Sequence, residues 1–173
     1  YLGRFGVEKN IASLIKAVSL LNTSINFTLE LVGPLDEEYE SLNDLIKELK
    51  LENIIKFIGP LYGDEKYLKM QEWHGYIHIA KSDVVSIALM EAFALGIPSI
   101  VSRTSQVSYF HKSGAFIMVE PVDSDISRGI EDFLNSEIEW LKMSNSAKDL
   151  VKKTFNWDVV ALKMKKMYQK ALL

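Results

Sequence analysis

Short β-type apolar runs alternate with amphipathic helical segments along almost the whole chain of 173 residues, and this rhythm constrains the fold more than any other feature. Helical spacing puts Ile11, Leu14, Ile15, Val18 and Leu21 on one face of a helix over residues 10–21. A strand over 27–32 follows, closed by Gly33-Pro34. Next come a helix over 38–49, a strand over 54–58 stopped by Gly59-Pro60, a helix over 64–72 and a strand over 76–80. A helix over 86–95 and strands over 99–102 and 116–119 complete the alternation, and helices over 125–134, 138–153 and 159–172 form the tail. Parallel strands need crossover connections. The pattern therefore predicts an α/β fold: a doubly wound, Rossmann-like parallel sheet with helices on both faces and a helical C-terminal tail. Tyr1-Leu2-Gly3 reads as the end of a further strand, which implies that the numbering starts inside a longer protein.

At 48% hydrophobic and 25% charged residues, the chain supplies one ordinary core, so residues 1–173 are read as a single domain. A net charge of -3, with lysines dispersed rather than in blocks, offers no cationic field for nucleic acid. There is no cysteine, and His74, His78 and His111 lack the spacing of a metal motif, so no metal is expected. No apolar run reaches the roughly 18 residues of a membrane span, which reads as a cytoplasmic protein. Lys142, Lys148, Lys152, Lys153, Lys163, Lys165 and Lys166 stand opposite Met143, Leu150, Val151, Met164 and Met167, a pattern read as packed helices with solvated outer faces. Peripheral attachment to the inner face of an anionic membrane is the alternative. Trp73, Trp140 and Trp157 are expected to pack between layers. His74 and His78 flank a strand with no evident partner and are read, like His111, as strand-end or surface histidines.

In open parallel sheets, ligands bind beyond the carboxyl ends of the strands. Three junctions there stand out: Gly3-Arg4 to Asn10, Gly33-Pro34 to Glu38, and Lys81 to Ser86. The first is no Walker A loop, but it carries Arg4 and Lys9 ahead of a helix, a planar fork and a point charge that together suit a diphosphate. By spacing alone, solvated loop charges are the favoured reading of this pair. At the third junction, Asp83 and Ser86 precede a helix. Backbone amides near Val85, Ser86 and Ile87 suit phosphate, while helix capping is the plain alternative. Glu91 stands in the run Ile87-Ala88-Leu89-Met90-Glu91-Ala92-Phe93-Ala94. An acid in such surroundings needs a ligand or an internal donor.

Arg4 and Lys9 before Ile11–Ala17, Leu29–Val32 with Gly33, Phe57-Ile58-Gly59 and above all the run from Ser86 to Ser102 resemble the donor-binding half of GT-B fold glycosyltransferases. The large retaining family 4 is the nearest in pattern. Glu-Ala-x-Ala-x-Gly-x-Pro is the specific part, and the resemblance extends to Phe155-Asn156-Trp157, similar to the family's Phe-Ser-Trp. It implies a retaining glycosyltransferase in which Arg4 and Lys9 bind the donor diphosphate and stabilise the leaving nucleoside diphosphate. Glu91 matches the second acid of the Glu-x7-Glu motif and takes the ribose hydroxyls. The first acid is Asp83 here, one methylene shorter, placed on the sugar.

Val84-Val85-Ser86-Ile87 replaces the family's Gly-Phe-Gly-Leu, with Ser86 still offering an amide to phosphate. Arg103-Thr104-Ser105 stands where Gly-Gly and Glu are common. Leu61 and Tyr62 lie where such folds read the base, and Gly33 lies at a strand end beside the donor. The implied partners are a UDP- or GDP-sugar and an N-terminal acceptor-binding domain of the same protein. No cofactor and no metal are implied, and the isolated chain is expected to be inactive. Polysaccharide or glycolipid assembly is the family's common setting. The alternatives are a non-catalytic interaction domain, motivated by Asp83 and the missing glycines, and a GT-B type epimerase. A phosphorylase lacks its lysine motif here.

Overall fold

The protein, seen in a computed structural model describing residues 1–171, alternates strands and helices as the sequence predicts. The strands are β1 (Leu29–Val32), β2 (Ile55–Gly59), β3 (Tyr76–His78), β4 (Ser99–Ser102) and β5 (Phe116–Val119). The helices are α1 (Ile11–Ser19), α2 (Tyr39–Glu48), α3 (Gly63–Gln71), α4 (Ile87–Leu95), α5 (Asp123–Leu134), α6 (Glu137–Leu150) and α7 (Trp157–Ala171). Every strand pair is parallel: β1 with β2, β3 with β4, and β4 with β5. The strands form two ladders, β1-β2 and β3-β4-β5, rather than one continuous sheet. Tyr1–Gly3 runs beside β1, with Leu2 opposite Val32.

Alternation along β3, β4 and β5 sends one set of side chains to each face. Ile77, Ile100 and Val119 join α1 and α5 in one cluster, with Ile11, Leu14, Ile126 and Ile130. Tyr76, Val101 and Phe116 join α4 and α6 in the other, with Leu89, Phe93, Ala147 and Leu150. A strand covered on both faces favours apolar residues, as in Phe-Ile-Met-Val of β5, and the two buried serines that flank Ile100 and Val101 in β4 donate their hydroxyls to the Ile97 and Ala80 carbonyls. α4 is apolar almost all round and lies buried on its Leu89, Ala92 and Phe93 side. It ends at Gly96 in the left-handed conformation (φ 76°), where the Gly96 and Ile97 amides close the last turn on Phe93 and Ala92 carbonyls.

Several expectations are corrected. The strand expected over 76–80 leaves the ladder after His78, although Ile79 and Ala80 stay buried. Residues Gln106–Ser113 form 3-10 turns anchored by buried Val107, a segment with no clear period in the sequence. The helix expected over 138–153 is α-helical only to Leu150 and continues as a π-type turn over Val151–Phe155. The last helix starts earlier than expected, at Trp157, and Leu172 lies outside the described residues.

The reading of the tail as ordinary packed helices holds for Met143 and Leu150 but fails for α7. Met164, Met167 and Tyr168 are exposed, and Trp157 is 83% exposed rather than packed between layers. Among the described residues α7 buries no side chain, and its main contact is with the Val151–Phe155 turn just before it. Trp73 and Trp140 do pack against the core, and Trp140 stacks on Phe133 at 4.8 Å.

Gly33 sets the spacing between the first strand segment and β1. A Cβ at this position would lie 2.0 Å from the Gly3 carbonyl oxygen, a backbone atom that cannot rotate away. Gly33→Ala is therefore expected to cost about 2–3 kcal/mol by forcing the two segments apart. Thermal unfolding checks this, with a fall in Tm of roughly 5–10 °C for a chain of this length.

Candidate functional site

Because all strands run in one direction, their carboxyl ends share one edge, and the three junctions singled out in the sequence lie there. At the first, Gly6 leads into a 3-10 turn over Val7–Lys9, and Asn10 takes a left-handed conformation (φ 61°) before α1 begins. Asn tolerates this region better than most residues. Its buried side chain donates to the Pro121 carbonyl at 3.0 Å, so the turn that presents Lys9 is pinned to the loop after β5. The Lys81 amide donates to the Glu8 carbonyl at 2.8 Å, which ties the first junction to the third.

Lys9 and Asp83, read separately in the sequence, are partners. Lys9 Nζ lies 3.0 Å from Asp83 Oδ2 in a largely buried pair. His78, expected to have no partner, is only 2% exposed, with Nε2 3.2 Å from the same Asp83 oxygen. The two atoms are close but outside hydrogen-bonding alignment. Burial pushes the His78 imidazole down to about 4, against the pull of Asp83 and with a contribution from Lys9. The ring is thus neutral at neutral pH. Both contacts fall on Oδ2, which leaves Asp83 Oδ1 to accept from a ligand.

Arg4 and Lys9, both placed on a diphosphate by the resemblance, have separate partners here. Arg4 is 74% exposed and meets only Glu8, at 3.7 Å, an arrangement with little energetic weight. Its guanidinium is free to turn toward the strand ends.

The second cluster gathers on α3 and α4. Glu91 Oε1 accepts from Lys66 Nζ at 2.6 Å and from the Tyr67 hydroxyl at 2.9 Å. The acid that the sequence required to find a ligand or an internal donor has found two donors, 25 and 24 positions away in the chain. The carboxylate holds Lys66 protonated, raising its pKa despite the opposing desolvation. Again one oxygen, Oε2, is left over. Neither Lys66 nor Tyr67 was identified from the sequence. Their spacing on α3 carries no signal, and only the packing of α3 on α4 brings them to Glu91.

Ser86 caps α4, accepting from the Leu89 amide at 3.3 Å. The Met90 amide is satisfied by the Ser86 carbonyl, so the unsatisfied amides of this helix end belong to Ile87 and Ala88. Ile87 itself is 75% exposed, and Val84 and Val85 are also exposed. Val84, in place of the family's first glycine, and Val85 thus both stand in solvent. Asp83 is held from the other side by a bridge to Ser105, whose next amide, at Gln106, donates to the Asp83 carbonyl at 3.1 Å. Leu61 and Tyr62 lie just before α3, with Tyr62 as its N-cap residue and largely exposed. Gly33 serves the close backbone approach to Gly3, and its amide donates to Gly59.

A small cleft of about 80 Å³ opens between Gly6, Val7, the start of α1 and Lys81. A larger cavity, about 790 Å³, lies elsewhere, between β1 and β3, and neither Lys9 nor Glu91 lines it. We place the site by its charged groups, not by cavity size, because the charged edge is open to solvent. Among the described residues no group of three His, Asp or Glu side chains could hold a metal, and no helix is long and apolar enough to cross a membrane.

Parallel strands with helices on both faces match the architecture of GT-B glycosyltransferase domains. Residues 1–156 match the model of the family described as glycosyl transferases group 1, and the chain belongs to that family. No individual curated protein matches it. Among solved structures, sucrose-phosphate synthase from Thermosynechococcus elongatus superposes with a TM-score of 0.84 at 22% identity, over 99% of this chain and 44% of that one. The catalytic domain of cholesterol-alpha-glucosyltransferase from Helicobacter pylori gives 0.76 at 25% identity, over 86% and 92%. HepE from Anabaena, solved in complex with UDP, gives 0.82 at 17% identity, over 99% and 48%. The chain thus spans less than half the length of the synthase and of HepE.

The buried, neutral His78 makes stability depend on pH. An imidazole with its folded pKa near 4 and an ordinary unfolded value of 6.5 leaves the unfolded chain binding more protons between those values, so stability falls as pH drops below about 6.5. His78→Gln is expected to remove this dependence. Urea unfolding at pH 6.5 and 5 should show wild type losing about 1–2 kcal/mol more than the variant. Comparison with the variant isolates His78 from other groups that titrate in the same window.

Proposed function

We propose that this chain holds the nucleoside-diphosphate sugar donor of a glycosyltransferase. One observation carries the reading: two cation–carboxylate pairs, Lys9–Asp83 and Lys66–Glu91, flank the capped start of α4, and each carboxylate has one oxygen to spare. HepE, which shares the fold, is known in complexes with UDP and with UDP-glucose, and this supports a nucleotide donor.

In the proposed arrangement Lys9 keeps its bond to Asp83 and gives a second donor to the diphosphate, since an ammonium has three. Arg4 swings in from solvent to take the other phosphate, and the amides of Ile87 and Ala88 add a helix N-terminus. As the glycosidic bond breaks, negative charge grows on the departing diphosphate, and these donors stabilise it without a divalent ion. Glu91 Oε2 accepts from the ribose hydroxyls, Asp83 Oδ1 from the sugar, and the exposed Leu61-Tyr62 segment takes the base. Retention of configuration, an acceptor from polysaccharide or glycolipid assembly and an N-terminal acceptor domain belong to the same reading, as does work at the cytoplasmic side of a membrane.

A second reading, a non-catalytic descendant, is favoured by the same pairs, since both acids are already satisfied without any ligand. Titration with UDP and with GDP, followed by heat, separates the two readings. Saturable binding of one nucleotide, weakened about tenfold in Arg4→Ala or Glu91→Ala, supports the donor site and names the base; that loss is roughly 1.4 kcal/mol, a modest share for a charge-assisted bond. Equal affinity in all three proteins would remove these residues from the site. The chain alone is expected to transfer no sugar, measured by release of nucleoside diphosphate in the presence of acceptor. Robust turnover would overturn the need for an acceptor domain.

A further inference from the structure

His78 closes β3 at the strand-end edge and is buried. By strand alternation its ring shares the face of Tyr76, the side covered by α4 and α6, and it lies in register with Val101 of β4. An apolar side chain would suit that place, since Ile77, Ile79 and Val101 around it are buried. An imidazole instead brings two nitrogens, and Nε2 is buried without a hydrogen-bond partner among the described residues. A buried polar atom left in this way costs free energy. It stands 3.2 Å from Asp83 Oδ2, the same oxygen that Lys9 Nζ reaches at 3.0 Å. One carboxylate oxygen thus has two nitrogen neighbours, of which only the ammonium is aligned to bond it.

The charges facing the ring come from two junctions: Lys9 from the turn before α1 and Asp83 from the loop after β3. The titratable group on β3 itself, the Tyr76 hydroxyl, donates to the Leu2 carbonyl at 3.2 Å, and burial keeps it protonated. The buried side chains that α4 and α6 turn to this face, Leu89, Phe93, Ala147 and Leu150, carry no charge. Without a ligand the three polar groups sum to zero: Lys9 is positive, Asp83 is negative, and His78 is held neutral by burial and by the ammonium. That balance holds only while the charge of Lys9 is directed at Asp83. A diphosphate on Lys9 brings its own negative charges to the same ammonium, and the buried cluster is then left with an excess. Water cannot solvate the excess at this depth, whereas an imidazolium beside Asp83 cancels part of it.

From this geometry we infer that His78 is a positioning residue of the donor site: as the diphosphate of a sugar nucleotide engages Lys9, the ring takes a proton from solvent and donates Nε2–H to Asp83 Oδ2. The inference rests on the donor reading and adds to it the group that holds Asp83 once Lys9 is shared. The move required is small, because Nε2 is already at hydrogen-bond distance and only alignment is missing. His78 acts through Asp83, whose Oδ1 stays directed at the sugar. A ring that binds a proton more tightly with donor bound than without it makes binding stronger as pH falls. The gain is complete only below about 4, where the free protein is protonated as well. Over the range in which protonation of His78 weakens the fold of the empty chain, it strengthens the occupied one.

The test titrates the chain with UDP-glucose and with GDP-mannose, whose diphosphates are esterified at both ends and do not themselves titrate near neutrality. At pH 6 the heat of binding is compared in MES and in Bis-Tris, buffers of different ionisation enthalpy. The His78 ring signals are followed by NMR from pH 4 to 8 with and without donor, the exposed His74 and His111 being assigned by their own Gln variants. Expected are uptake of roughly a quarter to a half of a proton at pH 6 and a His78 midpoint raised by about one to two pH units. Binding is expected to be about fivefold tighter at pH 5 than at pH 8, and in His78→Gln this ratio falls to about one and the uptake disappears. Saturable binding with equal heats in the two buffers and an unmoved His78 midpoint overturns the inference and leaves the donor reading standing. Equal proton uptake in wild type and His78→Gln overturns it too. Absence of saturable binding by either sugar nucleotide removes the donor reading and the inference with it. Should His78→Gln fail to fold, the wild-type midpoint decides alone.

Discussion

Parallel pairing of β3, β4 and β5 decides where everything else can go. Evenly slanted parallel ladders leave no room for a hairpin, so each strand must return through a helix before the next begins. All carboxyl ends then fall on one edge. The loops that leave this edge are tied to one another by short polar bonds: the Ala80 carbonyl accepts from Ser102 Oγ at 2.8 Å and from Thr104 Oγ1 at 2.6 Å, and Asp83 bridges to Ser105. The segment after β4, which departs from the family pattern, thus serves as a brace for the segment after β3. Without this brace Asp83 would sit on a free loop, and its distance from Lys9 would not be defined.

The electrostatics of the edge follow from burial. Lys9 and Asp83, and Lys66 and Glu91, are each about one-fifth exposed or less. At that depth an unpaired charge costs several kcal/mol, and removal of one partner harms more than the pair itself contributes. The pairs therefore contribute little to stability and much to position: each carboxylate is held by one oxygen and presents the other in a fixed direction. Groups already oriented need not reorganise when a charged ligand arrives. Arg4 differs: exposed to solvent, it keeps its conformational freedom, which in the proposed arrangement is lost when the donor binds.

Legibility in the sequence tracks the range of the interaction. Glu91 was legible because seven apolar neighbours on its own helix made an acid there anomalous, and Gly33 because it closes a strand. Ser86 was legible as a cap from its place before the apolar run. Lys66, Tyr67 and His78 were not. Nothing within a few positions of Lys66 indicates that α3 will lay it against α4, and His78 belongs to a strand only three residues long, too short for period to tell which side is buried. The exposure of α7 was illegible for the opposite reason: its apolar stripe is regular, but a stripe says what a helix can bury and not whether anything is there to bury it.

The sequence by itself determined the α/β class, the order of elements and the three junctions, because these depend on local period, turn residues and helix caps within about ten residues. Tertiary structure alone decided that Asp83 faces Lys9 and His78, and that Glu91 is shared by Lys66 and Tyr67. Those outcomes depend on the register of parallel strands and the packing of helices far apart in the chain, which local spacing does not encode.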